Sequence, residues 1–364
     1  MVAEAMSLSM ESLTRAYRGR RVFVTGHTGF KGTWLSTLLH DLGAEVCGFA
    51  LAPNTSPNHF DVLGLTNAMH SVIGNVDDLD HLRGTMAEFA PEIVFHLAAQ
   101  PLVRQSYHDP VETFRSNVLG ATHLLEAVRQ TDSIRSLVFI TSDKAYENVE
   151  WVWGYRETDR LGGQDPYSAS KGAAEIVYSS YERSFFAHRP DLACAVARAG
   201  NVIGGGDWSA DRIIPDCVRA IEAGEPIRLR NPNATRPWQH VLEPLSGYVL
   251  LGERLLNAPG QGKGAWNFGP STHEVRTVKD VADAIIAHLG SGQVKIEQTE
   301  GQPHEAQLLQ LNCDKAHQFL NWRPRWGVDK TLEATARWYA EFIKGADMQA
   351  VTRAQIAEYF EGSA

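Results

Sequence analysis

Tyr167 and Lys171 are the pair whose residue types and spacing most directly suggest chemistry. A separation of four residues places both side chains on one face of a helix, one turn apart. The unperturbed pKa of tyrosine is about 10, and a nearby ammonium group favours the phenolate form. A phenolate can take a proton from a substrate hydroxyl while a hydride leaves the same carbon. The pair therefore predicts an enzyme that oxidises an alcohol, with both residues catalytic.

This chemistry needs a hydride acceptor, and a glycine-rich turn near the N-terminus is a candidate site for one. The run RVFVT is typical of a buried strand, and three glycines follow it at GxxGxxG spacing before a helical pattern begins. Such glycines permit a tight turn, close approach of backbone N–H groups to a pyrophosphate, and close packing of helix on strand. The helix N-terminus adds partial positive charge. We predict that a dinucleotide contacts the whole turn, namely Gly26, His27, Thr28, Gly29, Phe30, Lys31 and Gly32.

The second strand ends without the acidic residue that commonly binds the adenosine ribose. Ala50 and Leu51 occupy that place, and there is no arginine there to bind a 2′-phosphate. These features favour NAD over NADP as the cofactor. We expect Asn75 and Val76, in the loop after the third strand, to contact the adenine.

The elements that must position these residues alternate along the chain between strands and helices. Apolar, β-branched runs at 21–25, 44–51, 72–73, 91–99, 136–142 and 192–204 predict six strands, with helical patterns between them. This alternation predicts an α/β fold with a doubly wound parallel sheet of the Rossmann type. We interpret 1–18 as an N-terminal extension and 19–204 as the NAD-binding domain. Residues 205–364 are predicted to form mainly a smaller C-terminal α/β substrate-binding region, with some segments returning to the first domain.

Composition narrows the class of partner. A net charge of −9 argues against a broad nucleic-acid surface. No apolar run approaches the length of about 20 residues that a membrane span needs, and the N-terminus lacks the pattern of a signal peptide. The four cysteines show neither zinc-binding nor redox spacing, and no histidine pair suggests a metal site. We therefore expect a cytoplasmic protein without a metal, a nucleic-acid partner or a membrane partner.

Further strings resemble the extended short-chain dehydrogenase/reductase family over residues 21 to about 326. They are HLAAQ at 96–100, NVLG at 117–120 and RAGNV at 198–202, together with the glycine-rich turn and the Tyr167–Lys171 spacing. The resemblance implies that Gln100 contacts the substrate. It also implies further cofactor contacts from Leu97, Ala98, Ala99, Asn117, Thr141 and Arg198.

The end of the fifth strand, TSDK, adds an acid and a potential base to this framework. With TGHTGFKG and ATRPWQHVLEPLSGY, it resembles the branch of the family that acts as 4,6-dehydratases on CDP-hexoses. Removing water across C5 and C6 needs a base for the C5 proton and an acid for the C6 hydroxyl. Our hypothesis is that Ser142 hydrogen-bonds the sugar O4, Lys144 takes the C5 proton and Asp143 protonates the leaving hydroxyl.

A sugar nucleotide also needs cations for its diphosphate, and arginine binds two phosphate oxygens at once. Candidates lie just beyond the sixth strand and in a later Arg- and Trp-rich loop. The predicted substrate contacts there are Asn201, Asp207, Trp208, Arg212, Arg230, Arg236 and His240, with His304 following another loop.

Two long helical patterns, at 110–130 and 168–186, have broad apolar faces. Family members are commonly dimers or larger, so the resemblance implies a homodimer or homotetramer. Two alternative functions remain open. A sugar-nucleotide 4-epimerase of the same fold would not need Asp143 and Lys144, and a non-catalytic dinucleotide-binding protein would not need Tyr167 and Lys171.

Overall fold

The structure of the protein, a computed structural model, describes residues 9–271, 275–297 and 308–362. Its strands are β1 (Arg21–Thr25), β2 (Glu45–Ala50), β3 (His70–Ile73), β4 (Ile93–His96), β5 (Ser136–Ile140), β6 (Ala193–Ala199), β7 (Val202–Ile203), β8 (Ile227–Leu229), β9 (Thr235–Arg236), β10 (Gln239–His240), β11 (Gly264–Phe268), β12 (Arg276–Thr277) and β13 (Val294–Ile296). Its helices are α1 (Met10–Tyr17), α2 (Phe30–Asp41), α3 (His59–Val62), α4 (Leu79–Phe89), α5 (Val103–His108), α6 (Pro110–Phe114), α7 (Gly120–Arg129), α8 (Pro166–Ser184), α9 (Ile213–Ala223), α10 (Leu242–Asn257), α11 (Pro259–Gly262), α12 (Val278–Leu289), α13 (Val328–Ile343) and α14 (Met348–Glu361).

Seven strands form one parallel sheet in the order β11-β6-β5-β4-β1-β2-β3. The chain runs outward from β1 to β3, then crosses to β4 and runs outward in the opposite direction. This reversal opens a crevice beyond the carboxyl ends of β1 and β4, where ligands bind in such sheets. The predicted doubly wound α/β fold is confirmed.

The inner strands of the sheet are buried on both faces, which explains why they are nearly continuous apolar runs. In β1, Val22 and Val24 join the apolar cluster on one face, whereas Phe23 joins the cluster on the other. The first cluster contains residues of α2, α10, α13 and α14. The second contains residues of α4, α7 and α8. Within the described residues, no helix is both long and apolar enough to cross a bilayer.

The chain after residue 204 contributes to the sheet as well as to the loops above it. Strand β11 pairs with β6 at the sheet edge, and α10 packs on β5 and β6. Three small sheets, β7 with β10, β8 with β13 and β9 with β12, order the loops beyond β6. The long helix predicted at 110–130 is divided, because a π-helical turn at Arg115–Leu119 separates α6 from α7.

Candidate active site

A cleft of about 1520 Å³ lies at the carboxyl edge of the sheet. The glycine-rich turn forms its floor, together with the segments that follow β4, β5 and β6. Helix α8, helix α5 and the loops after β2, before α9 and around β8 also line the cleft. The predicted catalytic residues line this one cleft, namely Ser142, Asp143, Lys144, Tyr167 and Lys171.

Helix α8 positions Tyr167 and Lys171 in its first two turns. Asp165 caps the helix, since its Oδ1 accepts a hydrogen bond from the Ser168 N–H at 2.9 Å, and Pro166 occupies the first helical position. Both are favourable at a helix start. The cap fixes where the helix begins, and therefore which side chains of its first turns reach the cleft.

Burial acts on the two groups in opposite directions. It raises the pKa of Tyr167 to about 12, although a hydrogen bond with Ser142 and the charge of Arg212 oppose the shift. It lowers the pKa of Lys171 to about 8, against the attraction of Glu175. Burial alone thus disfavours the phenolate, and positive charge in the cleft must stabilise it.

The segment after β5 forms a 3₁₀ turn at Asp143–Ala145. The Ser142 hydroxyl donates to Asp143 Oδ1 at 2.8 Å and accepts from the Lys144 N–H at 3.2 Å. Asp143 is 4% exposed. Burial raises the pKa of its carboxyl, whereas Lys144 and the Ser142 hydrogen bond lower it. A raised pKa suits a carboxylic acid that donates a proton.

The glycine-rich turn is shaped for a pyrophosphate. Gly26 has a φ of 78°, which favours glycine, and a Cβ at Gly32 would lie 2.0 Å from the Gly26 carbonyl oxygen. Helix α2 begins at Phe30 without a side-chain cap, so its first turn presents uncapped N–H groups at the cleft. The residues present therefore fit a dinucleotide. The predicted cofactor contacts that line the cleft are Gly26, Thr28, Gly29, Phe30, Lys31, Gly32, Asn75, Val76, Leu97, Ala98, Ala99 and Thr141.

Three predicted cofactor contacts, His27, Asn117 and Arg198, do not line the cleft. The His27 ring turns toward β3, where its Nε2 lies 2.7 Å from the Ser71 hydroxyl, and burial lowers its pKa to about 4. The Asn117 amide donates to the Ser170 hydroxyl of α8 at 2.8 Å. The buried Arg198 guanidinium is paired with Glu175. Each of these side chains binds another part of the protein, so their contacts with the cofactor stay predictions.

Two predicted substrate contacts, Gln100 and His240, also lie outside the cleft lining. The Gln100 amide donates to the Thr113 hydroxyl at 2.9 Å. His240 is fully buried, and its ring packs against Trp34 and Trp326. The contacts of these two residues with the substrate therefore stay predictions.

The other predicted substrate contacts that the structure describes line the cleft, namely Asn201, Asp207, Trp208, Arg212, Arg230 and Arg236. Arg212 donates to Asp207 Oδ2 at 2.7 Å, so the acid holds the guanidinium in place. Arg230 donates to Asp211 Oδ1 at 2.9 Å. His304 lies outside the described residues.

Sequence reasoning missed Arg104 and Asp211, which also line the cleft. Arg104 Nη1 lies 3.6 Å from Asp211 Oδ1, the same oxygen that accepts from Arg230. The signal for Arg104 was its place in α5, shortly after the carboxyl end of β4. Asp211 has a φ of 61°, which no sequence pattern predicts. Within the described residues, no cluster of three or more His, Cys, Asp or Glu could hold a metal ion.

Comparison with known proteins identifies the family of this chain. A family model described as GDP-mannose 4,6 dehydratase matches residues 23–335. A CDP-glucose 4,6-dehydratase of Salmonella typhimurium is 48% identical over 351 residues, covering 95% of this chain and 98% of the relative. A UDP-glucose 4-epimerase of Mycolicibacterium smegmatis is 26% identical, covering 86% of this chain and 97% of that protein.

Solved structures share the fold. A UDP-glucose 4-epimerase of Thermus thermophilus in complex with NAD is 27% identical, with a TM-score of 0.74 over 87% of this chain and 98% of its own. An epimerase of Methanothermobacter thermautotrophicus, at 24% identity, has a TM-score of 0.78 over 92% and 96%. The chain therefore belongs to the GDP-mannose 4,6-dehydratase family, within the extended short-chain dehydrogenases/reductases.

Proposed function

We propose that this enzyme converts CDP-D-glucose into CDP-4-keto-6-deoxy-D-glucose and water. The observation that carries the proposal is the Ser142–Asp143–Lys144 segment, with Ser142 and Asp143 buried, which lines the same cleft as Tyr167 and Lys171. An oxidising pair beside an acid and an amine suits oxidation followed by elimination. The choice of nucleotide and sugar is supported by the 48% identical CDP-glucose 4,6-dehydratase.

The cofactor of this reaction would be NAD, held by the glycine-rich turn and by the residues after β3 and β4. When bound, NAD accepts the C4 hydrogen of the sugar as a hydride and later returns it to C6. The uncapped first turn of α2 would bind the pyrophosphate. The related Thermus thermophilus epimerase was solved in complex with NAD, which supports the choice of this cofactor.

In the oxidation, Tyr167 would take the proton of the sugar O4 hydroxyl. The Lys171 ammonium would stabilise the phenolate that receives it, and the Ser142 hydroxyl would hold O4 in place. The oxidation leaves a 4-keto sugar. Its carbonyl acidifies the neighbouring C5 hydrogen.

In the elimination, Lys144 would take the C5 proton as the C5–H electron pair forms the C5–C6 double bond. The C6–O bond breaks, and Asp143 gives its proton to the departing hydroxyl, which leaves as water. Hydride return to C6 and proton return to C5 complete the product. The raised pKa of Asp143 supports its role as the acid.

On the substrate side, Arg212, Arg230 and Arg236 would bind the diphosphate. Residues 19–204 would thus carry the cofactor, and residues 205–364 most contacts to the sugar nucleotide. We further propose a homo-oligomer, a dimer or tetramer, formed through the helices at 110–130 and 168–186. The four cysteines are free and buried, which supports a cytoplasmic location.

The test is incubation of the NAD-loaded enzyme with CDP-, dTDP-, UDP- and GDP-glucose, followed by NMR of the sugar. We expect a C6 methyl group to appear and CDP-glucose to react fastest. A product that keeps its C6 hydroxyl and has inverted C4 would instead indicate a 4-epimerase. No reaction with any of the four would indicate a dinucleotide-binding protein without this activity.

A further inference from the structure

The Glu175–Arg198 ion pair lies beneath the cleft, with side chains 3% and 4% exposed. Arg198 Nη2 donates to Glu175 Oε2 at 2.5 Å, and Nε donates to Oε1 at 2.9 Å. Glu175 belongs to α8 and Arg198 to β6, so the pair joins a helix to the sheet. Buried ion pairs are often no more stabilising than apolar residues of similar volume, because both charges lose their water. Stability alone therefore does not account for this buried pair.

The pair binds both ends of the short segment that carries Ser142, Asp143 and Lys144. Before the segment, the Thr141 hydroxyl donates to Glu175 Oε1 at 2.5 Å. After it, Arg198 Nη1 donates to the Tyr146 hydroxyl at 2.6 Å, and the guanidinium carbon lies 4.6 Å from the Tyr146 ring centroid. One ion pair thus binds one residue on each side of the 3₁₀ turn.

The same carboxylate also faces the oxidising pair. Glu175 follows Lys171 by one helical turn on α8, and its negative charge raises the pKa of Lys171 against the effect of burial. The Tyr146 hydroxyl, which accepts from Arg198, also has an acceptor for its own proton, since it donates to Asn267 Oδ1 of β11 at 2.8 Å. The network is fully buried and spans α8, β6, β11 and the end of β5.

We propose that Glu175 and Arg198 are positioning residues that hold the Ser142–Lys144 segment in register with Tyr167 and Lys171. The inference rests on the proposed dehydration and adds a device that couples its two steps. Oxidation and elimination act on adjacent carbons of one bound sugar, so the two sets of groups must keep a fixed separation. A displacement of about 1 Å costs up to ~100-fold in rate. Neither residue touches the substrate in this proposal.

One mild variant tests the anchoring without breaking the ion pair: Tyr146→Phe removes the hydrogen bond from Arg198 on the Lys144 side of the segment and leaves the Thr141 anchor beside Ser142 in place. In single turnovers of NAD-loaded enzyme in excess over CDP-glucose, we expect elimination to slow about tenfold while C4 oxidation changes little. Acid-quenched samples, analysed by mass spectrometry, should then accumulate the 4-keto sugar that has not lost water.

The matched controls remove equally buried hydroxyls elsewhere. Thr335→Val removes a hydroxyl that donates to the Thr331 carbonyl, and Tyr17→Phe one that donates to the Val249 carbonyl. Both should leave the ratio of the 4-keto and 4-keto-6-deoxy sugars unchanged, even if they lower the melting temperature. The inference is overturned if Tyr146→Phe matches these controls, or slows both steps equally. If the parent enzyme forms no 4-keto-6-deoxy product, the proposed function itself fails, which is a separate result.

Discussion

Desolvation shifts the pKa values of the acid–base groups in this site, and the consequence differs for each proposed catalytic role. For Asp143, burial raises the pKa and favours the protonated form that a general acid needs. For Tyr167, it raises the pKa to about 12, away from the form that a base needs. For Lys171, it lowers the pKa to about 8, which weakens the cation that must stabilise the phenolate. Burial therefore favours the protonated form of Asp143, whereas the phenolate form of Tyr167 depends on positive charge in the cleft.

The first prediction at this scale separates the two steps of the reaction. Lys144→Ala and Asp143→Asn should each permit C4 oxidation but slow loss of water by about 100-fold or more, since each removes one partner of the elimination. Quenched single turnovers would show the 4-keto sugar instead of the 6-deoxy product. Lys344→Ala, on the surface, is the control. Product formation at the parent rate in both test variants would show that these roles are wrong.

The second prediction concerns pH. Because the pKa of Lys171 is lowered to about 8, its ammonium is present below that pH and is lost as the pH rises through it. The rate of C4 oxidation should therefore fall on the alkaline side of about pH 8. Lys171→Arg keeps a cation at higher pH. Whatever the absolute rate of this variant, its rate of C4 oxidation should begin to fall at a higher pH than that of the parent enzyme. If the pH of this fall is unchanged, another group is responsible for the titration.

At the scale of elements, the sequence predicts correctly which segments reach the cleft. It predicts less well which side chains of those segments point into the cleft. The glycine spacing and the Tyr167–Lys171 spacing are local patterns, and both lead to the cleft. The direction of His27 depends on Ser71, and that of Arg198 on Glu175, partners that lie 44 and 23 residues away. No local pattern records such pairings. This is why the side chains of these two motif residues lie outside the cleft lining.

Helix α10 supplies a second example of a long-range pairing. The Glu243 carboxylate accepts from the Trp326 N–H at 2.8 Å and from the Tyr359 hydroxyl at 2.7 Å. It thereby ties the segment before α13 and the helix α14 to the sheet layer. Burial raises the pKa of this carboxyl to about 7, above its usual value of 4.5, although these hydrogen bonds and Arg325 oppose the shift.

This shift gives a prediction for stability. Between pH 4.5 and about 7 the folded state keeps the proton that the unfolded state has lost. The free energy of unfolding should therefore fall as the pH rises through this window, by up to about 3 kcal/mol from this group. In Glu243→Gln that contribution is absent, so urea denaturation from pH 5 to 8 should show a smaller loss of stability. Glu341→Gln, at the surface, should keep the parent slope, and equal slopes in all three proteins would contradict the assignment.

At the scale of the whole molecule, the two faces of the sheet are covered differently. One face is covered by α2 and α10 and, beyond them, by α13 and α14. On the other face, α6, α8 and the residue that caps the C-terminus of α8 leave large apolar side chains at the surface: Val111 is 77% exposed, Ile176 64% and Phe185 43%. Exposed apolar side chains concentrated on neighbouring helices are typical of an interface. We therefore propose this surface as the interface of the predicted homo-oligomer.

A two-fold axis at this surface would bring the same helices of two chains together, because a symmetric dimer uses one patch twice. We expect the parent protein to sediment as a homodimer or homotetramer and Ile176→Glu to shift it toward a smaller species, since each dimer interface would bury two unpaired carboxylates. Phe319→Glu is a matched control, as Phe319 is also 64% exposed but lies in the π-helical turn at Ala316–Leu320. Sedimentation velocity over a range of concentrations measures both. A monomeric parent protein, or equal dissociation in the two variants, would rule out this surface as the interface.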